Sequence, residues 1–258
     1  MKKIEMLKLW VPVIFFTSLL AFKVNSQVSP KDSIVSGILL DFHYSFQVPF
    51  ADIAERFGVS STIGAGIMYK TKNNFLLGGD FNYIFGTNVK EEDDILSMIS
   101  TSDGQIIDGN GMYAEVICYE RGFYSTIKAG KIFPLFGPND NSGLFVTIGS
   151  GLLQHWIRII NNENTAPQLA KEYRAGYDRL SNGICFTQSV GYFNIGNKKA
   201  YSFTAGFEFI QAFTENRRGY NYDLMGQEEN TNRIDLLLGI KISWMLPLFR
   251  QPSDGYYY

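Results

Sequence analysis

The chain has 258 residues, of which 45% are hydrophobic and 15% aromatic, and its formal net charge is -2. Its 15 Tyr, 21 Phe and 25 Gly favour β-structure, because aromatic residues suit pleated surfaces and glycines suit bends and close packing. The lack of a basic excess argues against nucleic-acid binding, and we expect no nucleic acid among its partners.

Residues 1–26 have the parts of a secretory signal peptide. Lys2 and Lys3 give a basic start, an apolar stretch runs from Leu9 to Phe22, and small residues precede Gln27. The apolar stretch is shorter than the roughly 20 residues that a membrane-spanning helix needs. We therefore predict cleavage before Gln27. Removal of 1–26 takes four lysines and one glutamate from the 23 basic and 25 acidic residues, which leaves a net charge near -5.

Eight segments with alternating residue character follow the signal peptide. In each segment, large apolar side chains fall on one face of an extended strand, and glycines, small polar residues and isolated charges fall on the other. The segments are residues 38–48, 59–69, 75–85, 112–133, 144–157, 184–193, 201–213 and 234–249. The alternation in 112–133 is imperfect, which predicts a bulge or bend near Arg121 and Gly122.

The polar face distinguishes a membrane barrel from a soluble sandwich. The outward face of a soluble sandwich is usually rich in long polar side chains, whereas the polar face here is dominated by Gly, Ser, Thr and isolated charges. In 234–249, for example, Asp235 and Lys241 share that face with Gly239 and Ser243. Such residues fit the crowded lumen of a narrow barrel, and the large apolar face then contacts lipid.

The lengths of the connections favour the same fold. Long and short connections alternate, with the longer ones after the first, third, fifth and seventh segments. Outer-membrane barrels have short periplasmic turns and longer extracellular loops. We therefore predict an all-β, antiparallel, up-and-down transmembrane β-barrel of eight strands over residues 27–249, with a periplasmic tail at 250–258. The expected location is the outer membrane of a Gram-negative bacterium.

The closing strand resembles the carboxy-terminal assembly signal of outer-membrane barrels, in which a Gly is followed by spaced apolar and aromatic residues. Gly239, Ile242 and Trp244 carry this resemblance, with Phe249 as the aromatic terminus. The chain after Gln27 resembles the small OmpA/OmpX-like outer-membrane barrels, and its cleavage site is similar to those of Bacteroidota outer-membrane proteins. It departs from such barrels by continuing past the aromatic terminus as RQPSDGYYY.

Charged residues on the inward phase of the strands are expected to form a polar network in the lumen. An isolated charge there would cost several kcal/mol, and an eight-stranded barrel is just wide enough for its own side chains. We therefore predict a salt-bridged plug, with a proton or ion path as the alternative. The predicted network consists of Asp41, His43, Asp80, Glu120, Lys128, Glu208, Asp235 and Lys241.

The sequence contains no motif that indicates a catalytic, cofactor or metal site. His43 and His155 both fall on the inward phase of a strand, and neither has a nucleophile motif beside it. The acidic run at 91–94 has contiguous carboxylates, whereas a calcium loop spaces them. Cys118 and Cys185 lie far apart and outside any C-x-x-C motif, so neither a disulfide framework nor a zinc site is indicated. We predict a protein that is not an enzyme and uses no cofactor and no metal.

Two loops and the tail carry candidate binding residues. Apolar residues in 166–180 recur at spacings of three and four, which predicts a short amphipathic helix. Aromatic residues mixed with Arg are enriched in binding surfaces, although these loops could instead pack on each other as a cap. The candidates are Leu169, Tyr173, Arg174, Tyr177, Tyr220, Tyr222, Tyr256, Tyr257 and Tyr258.

These features predict a structural or accessory barrel. Its partners would be the outer-membrane lipid bilayer and other envelope proteins, and it could serve as a subunit of a secretion or outer-membrane assembly complex. A narrow pore for small solutes is the first alternative, motivated by the lumen charges. A lipid-modifying enzyme that uses His155 or His43 is the second.

Overall fold

The described part of the chain forms a closed barrel of eight antiparallel strands, as the residue alternation predicts. The computed structural model describes residues 34–162, 165–196, 201–228 and 232–249. The strands are β1 (Gly37–Ala51), β2 (Ser60–Lys70), β3 (Phe75–Gly86), β4 (Val116–Phe133), β5 (Gly143–Asn161), β6 (Ser181–Asn194), β7 (Phe203–Asn216) and β8 (Asn232–Phe249). Each strand pairs with its neighbours in sequence, and β1 pairs with β8 to close the ring. The predicted fold class is confirmed.

The connections alternate between the two ends of the barrel. The four longer ones lie at one end, which we call the loop end, and the three shorter ones lie at the other, the turn end. The longer loops contain two short α-helices, α1 (Ile53–Arg56) and α2 (Glu92–Leu96). Among the described residues, none of the helices has the length and apolar character of a membrane-spanning segment. The predicted signal peptide at 1–26 and the tail at 250–258 lie outside the described residues.

The strand register gives the barrel a stagger. A circuit of paired residues that leaves β1 at Asp41 passes through Thr126 and Asp235 and returns to β1 at Ala51, ten residues further along the strand. This stagger tilts the strands against the barrel axis, and an eight-stranded barrel then has an interior that its own side chains fill.

The predicted bulge near Arg121 and Gly122 is wrong. Strand β4 pairs residue by residue with both β3 and β5 through this region. The alternation looks imperfect in the sequence for another reason: Tyr124 is fully buried on the inward face, and Ser125 is exposed on the outward face. An inward aromatic residue and an outward polar residue therefore imitate a change of register.

The outward face of the barrel is apolar and exposed. Phe207 and Ile240, paired across β7 and β8, are 58% and 54% exposed, whereas their chain neighbours Glu208 and Gly239 are buried. A continuous belt of such side chains around a barrel is far larger than the apolar patches that soluble proteins expose to water. The belt matches the lipid-facing band of a transmembrane barrel.

The predicted helix at 166–180 is also wrong. This segment contains two separate 3-10 helices, at Pro167–Leu169 and Arg174–Gly176. Between them Ala170 has φ -57° and ψ 157°, which is not a helical conformation, and the chain turns there. The apolar spacing nevertheless marks burial correctly, because Leu169 and Tyr177 are both buried.

Candidate functional site

Two apolar layers close the lumen of the barrel. The layer at the turn end, which we call the turn-end seal, consists of strand residues together with Ile195 from a turn. Its buried members are Leu39, Leu76, Ile132, Phe145, Phe193, Ile195 and Met245. A larger apolar cluster lies at the loop end and includes residues from the strands and from three of the longer loops. Polar side chains occupy the space between the two layers.

Four of the predicted network residues meet at the centre of the lumen. The Lys128 ammonium group lies 2.6 Å from the Asp80 carboxylate and 2.8 Å from the Glu208 carboxylate. Lys241 lies 3.1 Å from both carboxylates. Tyr124 donates a hydrogen bond of 2.8 Å to the second oxygen of Glu208. Two cations thus neutralise two anions in one cluster, the arrangement under which buried charges are tolerated.

A small cavity lies between this central ion cluster and the turn-end seal. Its volume is about 50 Å³, and its walls include Asp80 and Lys128 on one side and Phe145 and Phe193 on the other. About 10–15 Å³ of such space is enough for one water molecule. The cavity is therefore large enough for water.

The remaining lumen residues form smaller groups. The His43 imidazole bridges Asp41, at 2.6 Å, and Asn82, at 2.7 Å. Glu120 lies apart from the central ion cluster, buried beside Gly86 and Ser60. Neither of its carboxylate oxygens has a hydrogen-bond partner among the described residues.

His155 and Asp235 form a pair near the loop end. The His155 Nε2 atom lies 2.9 Å from Asp235, and the Thr214 hydroxyl donates a 2.5 Å hydrogen bond to the same carboxylate. In a nucleophilic triad the hydroxyl bonds the imidazole and the carboxylate orients that imidazole from its other side. Here the hydroxyl and the imidazole both bond the carboxylate, so the hydroxyl is not activated as a nucleophile.

The first loop folds into the mouth of the barrel, a feature that the sequence analysis missed. Ile53 and Phe57 are fully buried in the loop-end apolar cluster. The Phe57 ring lies edge to face against the His155 ring, with 5.5 Å between the ring centroids. We call residues 52–57 the loop-end plug. Its sequence signal is the i, i+4 spacing of Ile53, which begins the single turn α1, and Phe57, which directly follows it.

Arg56 attaches the loop-end plug to the other loops. Its guanidinium group is fully buried and donates hydrogen bonds of 2.6 Å and 2.9 Å to the two carboxylate oxygens of Glu228. It also bonds the Ser181 hydroxyl at 2.9 Å and lies 3.5 Å from Glu91. Arg179, paired with Asp223, lies 3.7 Å from the same Glu91. Charged side chains from all four longer loops therefore meet above the plug.

The charges around Glu228 control its protonation. Burial on its own would raise the pKa of this carboxyl, but the nearby guanidinium of Arg56 and hydrogen bonds from Asn216 and Arg56 outweigh burial. The pKa of Glu228 is therefore lower than its ordinary value of 4.5. Elsewhere in the loops, hydrogen bonds to Asp178 raise the pKa of Arg218.

The loops form one connected cap, and the candidate binding residues divide between its interior and its surface. Leu169 and Tyr177 are buried, and the Tyr222 ring packs on Tyr177 at 5.0 Å. Arg174 donates a 3.0 Å hydrogen bond to the backbone of Leu169. Tyr173 and Tyr220 are each 51% exposed. Tyr256, Tyr257 and Tyr258 fall outside the described residues.

The surface of the cap exposes further apolar side chains. Met112 and Tyr113, in the loop between β3 and β4, are 68% and 67% exposed, and Met225, in the last loop, is 65% exposed. Met112 and Tyr113 were not predicted as binding residues, because the alternating segment 112–133 included them, whereas β4 begins at Val116. Aromatic residues and Met are enriched in protein–protein interfaces.

No group of three or more His, Cys, Asp or Glu side chains in the described ranges is placed to hold a metal ion. Cys118 and Cys185 are buried free thiols.

The sequence matches no protein-family model and no curated protein. Three solved structures are similar to it in part: Ail, the attachment invasion locus protein of Yersinia pestis, in complex with the heparin analogue sucrose octasulfate; Neisserial surface protein A; and the outer membrane protein OprG from Pseudomonas aeruginosa. The sequence identities are 9%, 13% and 9%, and the TM-scores are 0.39, 0.39 and 0.37. The alignments cover 82%, 83% and 86% of this chain and 99%, 99% and 100% of the others. The barrel assignment rests on the strand pairing itself.

Proposed function

We propose that the chain is a non-enzymatic, integral outer-membrane barrel that acts as a structural or accessory subunit and binds other envelope proteins through its cap. The proposal rests on one contrast. The lumen is closed by an apolar layer at each end, whereas the loop end presents an ordered cap with exposed Met and Tyr side chains. A barrel that is filled inside but exposes apolar side chains on its loops fits binding better than transport.

The proposed location follows from the belt of exposed apolar side chains. Closed barrels can satisfy every backbone polar group inside a membrane, and they have no open sheet edge. The longer loops would then lie outside the cell and the shorter turns in the periplasm of a Gram-negative bacterium. The resemblance of the cleavage site to Bacteroidota proteins suggests that group of organisms, and a secretion or outer-membrane assembly complex is the kind of partner we propose.

The rival functions have less support from the described residues. A narrow pore needs a continuous path, but the central ion cluster and the turn-end seal fill the lumen below the cap. A lipid-modifying enzyme needs an activated nucleophile, and the hydroxyl nearest the His155 and Asp235 pair bonds the carboxylate.

Co-purification from native membranes tests the proposal. We expect gentle detergent extraction followed by mass spectrometry to recover stoichiometric envelope proteins with the wild-type chain. The double variant Met112→Ser, Tyr113→Ser should retain the barrel but recover less partner, because it removes exposed anchors and no buried contact.

The matched control is Leu135→Ser, Phe136→Ser, which removes two exposed apolar side chains at the turn end. Recovery of a lone monomer from native membranes would contradict the proposal. So would an equal loss of partner in the control and in the loop variant.

A further inference from the structure

Two arginines lie close together on the outward face of the barrel near the loop end. Arg121 on β4 pairs with Trp156 on β5, and Arg158 on β5 pairs with Tyr119 on β4, so the two arginines are diagonal neighbours across the strands. Diagonal neighbours are within reach of each other for long side chains. Arg158 is exposed, and Arg121 is partly exposed.

The contacts of Arg121 hold its guanidinium group in place. One nitrogen donates hydrogen bonds to the backbone carbonyls of Glu120, at 2.6 Å, and Gly86, at 3.3 Å. The guanidinium group lies over the Tyr119 ring, 4.8 Å from its centroid. These contacts occupy one nitrogen and one face of the guanidinium group, and its remaining N–H groups can bind another acceptor.

The number of residues along β4 indicates where the two arginines lie relative to the hydrocarbon layer of the membrane. At the turn end, Lys131 lies over the Phe75 ring at 4.8 Å, and Arg121 follows ten residues away on the same face. A strand of a membrane barrel crosses the hydrocarbon in about 9–11 residues. The side chains between the two cations are Phe123, Ser125, Ile127 and Ala129.

Aromatic rings near the two arginines support the same position relative to the membrane. Trp156 pairs with Arg121 across the two strands, and its ring lies edge to face on the Phe123 ring with 6.5 Å between the ring centroids. Aromatic residues concentrate where hydrocarbon meets headgroups. Arg121 therefore lies at the level of these aromatic rings, where the headgroups begin, and Arg158 lies one outward position nearer the loop end.

No carboxylate of the described residues forms a salt bridge with either arginine. The other outward arginine near this end, Arg217, is paired with Glu215 at 2.8 Å and bonds Asn182. An unpaired guanidinium group beside hydrocarbon is costly, and it is most stable when it binds an anion. The anions that the surrounding membrane supplies at this depth are lipid phosphates, which guanidinium groups bind well.

From this arrangement we infer that Arg121, Arg158 and Tyr119 form a binding site for the anionic phosphate headgroup of a membrane lipid. The two guanidinium groups bind the phosphate oxygens, and the Tyr119 ring keeps Arg121 in place. The site is separate from the apolar surface of the cap. The inference rests on the proposed outer-membrane location.

Tryptophan fluorescence provides a local test. The chain has three Trp residues, so replacing Trp10 and Trp244 by Phe leaves Trp156, beside the site, as the only reporter. This protein is refolded into phosphatidylcholine vesicles, with and without lipid A, a phosphorylated glycolipid. We expect saturable quenching or shift of Trp156 emission with lipid A, which weakens as salt is raised.

In the same background, Arg121→Gln or Arg158→Gln should each weaken the apparent affinity for lipid A roughly fivefold, since one cation near a membrane surface is worth about that factor. The matched controls are Arg217→Gln, at the same end, and Lys131→Gln, at the opposite end, and both should bind as the parent does. Wild-type affinity in the double variant Arg121→Gln, Arg158→Gln would overturn the inference. So would an equal loss in Arg217→Gln.

The two proposals fail in different ways. A chain that does not insert into phosphatidylcholine vesicles would contradict the membrane location itself. A chain that inserts and resists proteases across its strands, but does not respond to lipid A, would contradict only the lipid site.

Discussion

The two ends of the lumen are closed by different kinds of contact. The turn-end seal is made almost wholly of strand residues, and Leu39 and Phe193 are completely buried in it. At the loop end, the plug at residues 52–57 enters the mouth from a loop and is held by the ion pairs of Arg56. The turn-end seal cannot open without distorting the sheet, because nearly all of its residues belong to the strands. The loop-end plug can leave the mouth of the barrel as one loop segment while the strands stay paired. Sealing of the turn end should therefore depend on packing alone, and sealing of the loop end should depend also on charge.

The largest expected effect comes from truncating the turn-end seal. Phe193→Ala removes a buried ring that packs on Phe145 at 6.3 Å, and it should lower the free energy of unfolding by about 4 kcal/mol through lost burial and a residual cavity. Urea unfolding of the barrel in detergent micelles measures this change. Moderate salt should not alter the loss of unfolding free energy, because neither Phe193 nor Phe145 carries a charge.

Phe136→Ala is the control for that variant, because the Phe136 side chain is 88% exposed at the same end. Its effect should stay within about 0.5 kcal/mol, as for most surface substitutions. If Phe193→Ala were as mild as the control, the apolar layer would not be a stabilising closure.

A smaller effect is expected from releasing the loop-end plug. Arg56→Met removes the contacts to Glu228, Glu91 and Ser181, and it should cost about 2 kcal/mol, between the values for buried and exposed ion pairs, because Glu228 is partly exposed. Hydrogen exchange of residues 52–57 should accelerate, whereas exchange in the strands should not.

The control here is Arg217→Met, which breaks a pair whose two side chains are nearly half exposed. That substitution should change stability by less than about 1 kcal/mol. If Arg56→Met accelerated exchange in the strands as much as in 52–57, the plug and the barrel would be one cooperative unit, and the contrast between the two ends would be lost.

The smallest expected effect is that of acid on the plug. The folded pKa of Glu228 lies below its ordinary value of 4.5, so this carboxylate stabilises the cap above that pH, and the contribution is lost as the pH falls from 4.5 through the folded pKa. Hydrogen exchange of residues 52–57, corrected for the intrinsic pH dependence, should show the plug loosening over that interval.

Glu228→Gln separates this mechanism from general acid denaturation. In that variant the plug should be looser at neutral pH and should lose the step below pH 4.5. If the same loosening below pH 4.5 persisted unchanged in Glu228→Gln, other carboxylates would be responsible for it. The turn-end seal, which contains no titrating group, should show no such step.

Much of the architecture could be predicted from the sequence, because the side-chain period of a strand is local. Eight alternating segments and alternating connection lengths indicate the strand number, the two faces and the two ends. The errors arose where a local pattern was overridden by packing, as with inward Tyr124 in β4 and the two 3-10 helices at 166–180.

The pairing inside the lumen could be predicted only in part. The inward phase places Asp80, Lys128, Glu208 and Lys241 in the lumen, but their height depends on the register of every strand between them. The same register gives Glu120 no ion-pair partner among the described residues. The apolar layers were harder still to predict from the sequence. An apolar residue on the inward face, such as Leu39 or Phe145, departs from the alternation without indicating that it belongs to a layer.

The sequence by itself determined the alternation of polar and apolar faces, and therefore a barrel with an apolar exterior, because that information lies in residues two positions apart. Only the tertiary structure decided what fills the barrel and what closes it. Arg56 and Glu228 are 172 residues apart in the chain, and they meet because barrel closure places β1 beside β8. Contacts of that range depend on the stagger of the whole sheet, which no local pattern encodes.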